Sequence, residues 1–382
     1  MLALSQLLAE LVRIPSVNPM GRTDIPPHLC HESRVTDRLE SWLRELGISV
    51  TRQSVAPGRD NLIARYDPPT PAPYTLLFEA HQDTVPVDGM TVDPFAGRIE
   101  NGKLYGRGAC DVKAGIVAMF GAFRRLVTER PKNSAAVVLA YTVDEEHTFL
   151  GVQNLVKSGV KADFAVVAEP TRLNIVRAHK GVVRWYLETS GTACHSSTPE
   201  RGVNAVYRMA KVLSAVEQYA SQLQAGHSNP LLGSPTLSVG VVSGTVFGLT
   251  PPDTCRIQID RRLLPGESAP SAVEDLNHFL KARPEIDFPV RSEMTFACPA
   301  LSPEGGQGLV TRLGTAIDSV VGSHEVIAVP FGTDASTIQE AGIPAVVFGP
   351  GDIAQAHTKD EWIELKQVEQ AAEVLWRFAT SL

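Results

Sequence analysis

Two kinds of hydrophobic pattern alternate along the chain. Residues 5–13 read as a short amphipathic helix that stops at Ile14-Pro15, because proline cannot continue a helix and restricts the residue before it. Residues 32–46 place apolar side chains at Val35, Leu39, Trp42, Leu43 and Leu46, a spacing near 3.6, and Gly47 ends the run. Short runs at 61–66, 75–80, 135–142 and 162–168 are rich in Val, Leu and Ala and nearly unbroken, the pattern of strands covered on both faces. A helical stretch at 115–127 separates two of them. This rhythm of strand and helix predicts an α/β sheet.

Near Arg177 the pattern changes. Residues 182–189 alternate as a strand with one exposed face, and a long helix covers 202–224. Strands at 236–242 and 254–264, a helix at 271–283 and a strand at 288–296 complete the order β-α-β-β-α-β. Helices at 308–321 and 336–341, a strand at 345–348 and a helix at 366–381 then restore the first character. The predicted organisation is a mixed-sheet α/β/α domain in two parts, 1–178 and 299–382. An α+β ferredoxin-like domain, 179–298, interrupts it.

Composition narrows the class. Of 382 residues, 43% are hydrophobic and 20% charged, which suits a folded soluble chain of two or three domains. The 35 Lys and Arg against 42 Asp and Glu give a net charge of -7, with no basic block to argue for nucleic acid. The longest apolar run, 135–143, is far short of the ~20 residues that span a bilayer. The start of the chain carries Glu10 and lacks a basic segment, so it reads as a helix and not an export signal. Cysteines at 30, 110, 194, 255 and 298 are odd in number and scattered, which implies neither a disulfide framework nor a thiolate metal site. The expected setting is cytoplasmic, without nucleic-acid or membrane partners.

Candidate chemistry gathers where apolar runs end. Glu79-Ala80-His81-Gln82-Asp83 closes one run, and a histidine at a strand's C-terminal end faces the crevice where α/β sheets bind ligands. Asp83 could hold the other ring nitrogen. Gly106-Arg107-Gly108-Ala109-Cys110-Asp111 delivers a carboxylate to a helix start, where a plain N-cap is the simpler alternative. Asp144-Glu145-Glu146 follows the run 135–142; adjacent carboxylates repel unless a cation or solvent stabilises them. Glu169-Pro170 and Gln355-Ala356-His357 end two further strands. Each also reads as a turn, cap or surface residue when taken singly. Together, two histidines and three carboxylates suit two zinc-class ions with one carboxylate between them. Such a pair would polarise a carbonyl and generate hydroxide. No Gly-x-Ser-x-Gly elbow and no Gly-x-Gly-x-x-Gly after the first strand support a serine hydrolase or a dinucleotide enzyme.

The ordered set His-x-Asp, Gly-Arg-Gly-x-x-Asp, Asp-Glu-Glu, Glu-Pro, a histidine in the inserted domain and a late Ala-His resembles the two-zinc aminoacylase and carboxypeptidase family over nearly the whole chain. That family includes acetylornithine deacetylases, succinyl-diaminopimelate desuccinylases and glutamate carboxypeptidases. The resemblance implies that His81 and Glu169 bind one metal and Glu146 and His357 the other. It implies that Asp111 bridges them, Glu145 is general base and acid, and Asp83 orients His81. Ala193-Cys194-His195-Ser196-Ser197, running to Gly202-Val203-Asn204-Ala205, matches the family's lid motif, in which the histidine donates to an oxyanion, often across a dimer interface. Asp260 to Gly266 matches a pattern in which Arg262 takes the substrate carboxylate, with a strand-edge ion pair as the alternative. Asn204 and Asp334 are further candidate substrate contacts, Asp334 for an amine. Leu249 stands where the family often has asparagine, and Cys110 beside Asp111 suggests sensitivity to oxidation.

The implied cofactors are two divalent ions, zinc first, with cobalt or manganese able to share the ligands. The implied reaction is hydrolysis of an N-acyl amino acid, best matched by N-acetylornithine in arginine biosynthesis. Desuccinylation or carboxypeptidase action are alternatives, and a non-catalytic homologue that binds metal or amino acids is the rival of a different class. A homodimer through the inserted lid and dimerisation domain is the expected assembly.

Overall fold

A computed structural model describes residues 2–244 and 252–381; Leu249 lies outside the described residues. The chain forms two compact units. The first comprises Met1–Arg177, Pro303–Ile327 and Thr333–Leu382; the second comprises Ala178–Ser302 and Ala328–Gly332.

The first unit is built on a mixed sheet. Its strands run in the order Val50–Ala56, Arg59–Tyr66, Ala136–Thr142, Thr75–His81, Phe164–Val167, Ala345–Val347, Ile175–His179 and Val326–Val329. The central four are mutually parallel, and Arg59–Tyr66 joins them antiparallel. Both faces of the central strands are covered, which explains their unbroken apolar runs. Leu76, Phe78 and Ala80 enter one core cluster with side chains of helices Leu4–Val12, Ser33–Glu45, Lys113–Glu129, Gln307–Val321 and Leu365–Thr380. Helices Leu150–Lys157 and Asp334–Glu340 pack together and against the strands.

Three strands of this sheet lie beyond the sequence reading. Val50–Ala56 escapes it because its exposure follows no strict alternation. The signal that marks it is the Pro57-Gly58 turn, with Gly58 at φ 71°, which pairs it with Arg59–Tyr66 as a hairpin. Ile175–His179 and Val326–Val329 are too short to show a period.

The second unit carries one antiparallel sheet, ordered Thr236–Gly244, Thr254–Leu263, Gly181–Ser190 and Val290–Cys298. Helices Ala205–Ala225 and Ala269–Lys281 complete the split β-α-β-β-α-β arrangement. Its core gathers Val183, Trp185 and Leu187 with Ile257, Ile259, Met209, Val212 and Leu276. The long helix begins at Ala205, not Gly202, because Asn204 caps it.

Candidate metal centre

The centre grows from strand ends. Thr75–His81 terminates on His81, in register with Thr142, and Asp144, Glu145 and Glu146 follow directly on that neighbouring strand. Glu169 follows Phe164–Val167 on the other side. Parallel neighbours end at one edge, so their C-terminal side chains converge. Asp111 arrives on the loop that starts at Gly106. That loop needs glycine: Gly106 has φ +144°, and a Cβ there would meet the Pro94 carbonyl oxygen at 2.8 Å. Asp111 does not cap the helix after it; Val112 holds that position and makes no side-chain cap.

His81 Nδ1 lies 3.0 Å from the main-chain oxygen of Asp83, with the Asp83 carboxylate at 3.6 Å. A proton on Nδ1 therefore donates to that carbonyl and leaves Nε2 free. Nε2 approaches Asp111 Oδ1 at 3.2 Å and Glu169 Oε1 at 3.8 Å. His357 Nε2 lies 3.3 Å from Asp111 Oδ2 and 3.2 Å from Glu146 Oε2. Two imidazoles thus face opposite oxygens of one carboxylate.

The electrostatics make this cluster costly without a cation. Burial pushes the Glu145 and Glu169 carboxyls well above their ordinary range, and Asp111, among other neighbours, adds repulsion. Burial and Asp111 raise Glu146 likewise. Burial alone would raise Asp111, but hydrogen bonds with His357 and His81 outweigh it and hold it low. Hydrogen bonds to Asp111 and Glu146 push His357 up to about 11. Burial alone would lower His81, yet Asp111 and Asp83 hold it well above the usual imidazole range.

These opposed shifts mark a cluster of carboxylates and imidazoles that a divalent cation would stabilise. Among the described residues Glu146 Oε1 is buried with no hydrogen-bond partner. The sets His81, Asp111, Glu146 and His81, Glu145, Glu169 each bring one donor atom apiece within 4.8 Å of one another. Imidazole with carboxylate matches zinc-class ions better than calcium or magnesium. Glu145 is within ligand reach of His81 and Glu169 by distance alone. Asp111, touched by both imidazoles, is the better placed carboxylate to lie between two ions.

Residues far away in sequence hold the ligands. The buried Glu361 carboxylate accepts the amide N–H groups of Gly108, Cys110 and Asp111 at 3.2, 2.8 and 3.0 Å, and an Arg107 N–H at 2.6 Å. Arg107 also donates to the Pro86 and Thr358 carbonyls. One ion pair thereby ties the Asp111 loop to the segments that follow His81 and His357. Asp83 accepts the Glu145 and Glu146 amides, each at 3.2 Å, so its carboxylate organises their loop as well as neighbouring His81.

Two expectations are corrected. Asp334, expected to meet a substrate amine, is 1% exposed. Its Oδ2 accepts the Thr142 hydroxyl at 3.3 Å, and burial, then the equally buried Glu79, raises its pKa, so it lies inside the sheet edge and not on an open turn. Cys110, expected to be oxidation-prone, is fully buried. Burial, Glu361 and Asp111 drive its thiol well above the usual range, which withholds the reactive thiolate.

In the second unit His195 is exposed. Its Nδ1 accepts the Ser197 amide N–H at 3.2 Å and lies 2.7 Å from Ser197 Oγ, so a neutral ring carries its proton on Nε2. Arg262 is half-buried and donates Nε to Asp260 Oδ1 at 2.8 Å, which realises the ion pair considered for it. Asn204 Oδ1 accepts the Val206 and Tyr207 amides at the helix start, leaving only its NH2 group for other partners.

A cluster of carboxylates and histidines at the strand ends of a mixed α/β sheet, with a separate antiparallel unit, is the arrangement of a metal-dependent hydrolase. The chain belongs to Peptidase family M20/M25/M40, which residues 77–381 match. It is 31% identical to an acetylornithine deacetylase of Proteus mirabilis over 97% of this chain and 94% of that one. It is 31% identical to another of Myxococcus xanthus, over 98% and 96%. Among solved structures it resembles an M20 family metallo-carboxypeptidase of Sulfolobus solfataricus, with TM-score 0.78 and 20% identity over 100% of this chain and 99% of that one. It also resembles the aminopeptidase PepT of Bacillus cereus, with TM-score 0.77 and 21% identity over 99% and 97%. Members of this family are dinuclear metal-dependent hydrolases, and the clustered donors here fit that chemistry.

Proposed function

We propose that the protein hydrolyses the amide bond of an N-acyl amino acid, with N-acetylornithine, an intermediate of arginine biosynthesis, as the favoured substrate. The observation that carries the reading is Asp111, with an imidazole at each carboxylate oxygen. The near-full-length relatives named acetylornithine deacetylase support the choice of substrate.

His81 and Glu169 would hold one divalent ion, His357 and Glu146 the other, with Asp111 between them; zinc is the first candidate, cobalt and manganese the others. Bound there, such ions polarise an acyl carbonyl and acidify water. Glu145, buried beside His81 and Glu169, takes a proton from the attacking water and returns it to the leaving amine. Its raised pKa favours the return step, since a carboxyl tuned upward donates at neutral pH. His195 presents Nε2–H to the developing oxyanion. Arg262, whose Nε and Nη2 already face Asp260, offers its Nη1 to the substrate carboxylate, and Asn204 its NH2 group. The second unit acts as the lid and as the surface of a homodimer, in the cytoplasm. Among the described residues no helix is long and apolar enough to cross a membrane.

The test is turnover of N-acetylornithine, N-succinyl-diaminopimelate, N-acetylcitrulline, N-acetylmethionine and a Glu-terminated dipeptide, after chelation and again with zinc or cobalt restored. Metal-restored turnover of N-acetylornithine above the rest is expected. Preference for the succinyl compound or the dipeptide would overturn the substrate. Silence towards all five with two metals bound would favour a non-catalytic, metal-binding homologue.

A further inference from the structure

The segment carrying Glu145 and Glu146 is held by residues that have no part in the proposed chemistry. Asn18 is buried between two carboxylates and spends both of its amide hydrogens on them: Nδ2 donates to Asp83 Oδ2 at 2.8 Å and to Asp144 Oδ1 at 2.9 Å. Asp83, so fixed, accepts the Glu145 and Glu146 amides. Asp144 sits at φ 68°, in the left-handed region, which a non-glycine residue keeps only where its surroundings hold it. Arg59 supplies part of that hold. Its Nη1 donates to Asp144 Oδ1 at 2.7 Å, and its Nε and Nη2 form a fork on the buried Glu32 carboxylate. Glu32 in turn accepts the Asp144 amide at 3.3 Å. Arg59 is the cation that balances Glu32, Asp83 and Asp144 on this side of the centre.

The two donors do different work. Arg59 neutralises charge and anchors Asp144. Asn18 is neutral and sets the distance between Asp144, which bends the chain, and Asp83, which grips the next two amides. We infer that Asn18 and Arg59 are positioning residues that fix the Asp144–Glu146 loop in advance, so that Glu145 and Glu146 are aimed before any metal or substrate arrives. The inference rests on the proposed roles of Glu145 and Glu146, but preformation itself can be measured without them.

The experiment uses the full-length protein stripped with chelator. Hydrogen exchange is followed in peptides covering 143–149 and, as an internal reference, 75–81. The same protein is titrated with Co2+ by calorimetry, then assayed. In Asn18→Ala, exchange of 143–149 accelerates at least tenfold while 75–81 is unchanged. Affinity for one of two Co2+ ions, the one that needs Glu146, falls at least tenfold while the other is kept, and kcat falls at least tenfold with KM within about threefold. Arg59→Lys keeps the charge but not the fork, and shows the same pattern to a smaller degree. Should Asn18→Ala fail to fold, Asn18→Ser, which keeps a single donor, is judged on the same readings. Wild-type exchange at 143–149 with wild-type Co2+ affinities in these variants would overturn the inference. So would equal acceleration in both peptides, the mark of a general loss of stability. Failure of the wild-type protein itself to take up two Co2+ ions would instead overturn the metal assignment, and the exchange result would still decide the preformed loop.

Discussion

The two units hold their chemistry-bearing residues in opposite ways. In the first, Asp111, Glu145, Glu146 and Glu169 are nearly closed off from solvent, and their partners come from far along the chain: Asn18 lies 65 residues from Asp83, and Glu361 lies 250 from Asp111. In the second, His195 and Arg262 are held by Ser197 and Asp260, each two residues away, and His195 is open to water. Long-range bonds among buried charges fix geometry at high cost, because every carboxylate taken from water must be repaid by donors or cations. A residue held by its immediate neighbours keeps its local orientation while its whole element moves. The carboxylate cluster of the first unit is therefore held by distant partners, whereas His195 and Arg262 are held by the turn of chain around them.

The largest expected break falls on the preformed side. Glu145→Gln removes a proton acceptor without removing one of the proposed ligands. It should lower kcat by about 10²–10⁴-fold while leaving uptake of two metal ions intact. A kcat within tenfold of wild type, with both ions bound, would return Glu145 to the ligand role that its distances also permit.

Next comes the clamp. Glu361→Ala leaves Arg107 buried beside three amides without their acceptor, and loss of one partner of a buried ion pair costs about 3–5 kcal/mol. Chemical denaturation of the metal-free protein measures it; a loss below about 1 kcal/mol, the level of an exposed pair, would show that water replaces the carboxylate at no cost.

His195→Ala sharpens the contrast from the other unit. An exposed side chain bound, among the described residues, to Ser197 should carry no more than about 0.5 kcal/mol of stability, so the melting curve should not move. If Nε2–H meets the oxyanion, kcat should fall about 10²–10³-fold. A shifted melting curve with unchanged kcat would mark a residue of fold and not of chemistry.

This contrast also explains what the sequence could tell. His81, Glu145, Glu146 and Glu169 are legible because nearly unbroken apolar runs end just before them. The late Ala-His is legible only within the ordered set of motifs. Asn18, Arg59, Glu32 and the role of Glu361 are silent, since nothing local to a lone polar residue says that a carboxylate 65 positions away, or an amide 250 positions away, will need it. Asp334 misleads for the same reason: Gly332-Thr333-Asp334 looks like an open turn, but its neighbour Glu79 arrives from the middle of the sheet. The alternation in 182–189 and the order of elements after it made the second fold readable from periodicity alone.

The last prediction concerns protons at the metal centre. In the metal-free protein His357 is raised to about 11 by Asp111 and Glu146, and His81 is raised by Asp111 and Asp83 against its burial. A raised imidazole pKa favours the charged ring, and a cation that binds the ring nitrogen must displace that proton. Metal affinity should therefore increase from pH 6 to pH 8, by about tenfold per unit for each proton released. Binding heats measured at pH 7 in two buffers of different ionisation enthalpy give the number of protons directly. Release of one or more per ion is expected. No release, with affinity independent of pH, would mean that the imidazoles are already neutral and that their contacts with Asp111 are made by uncharged rings.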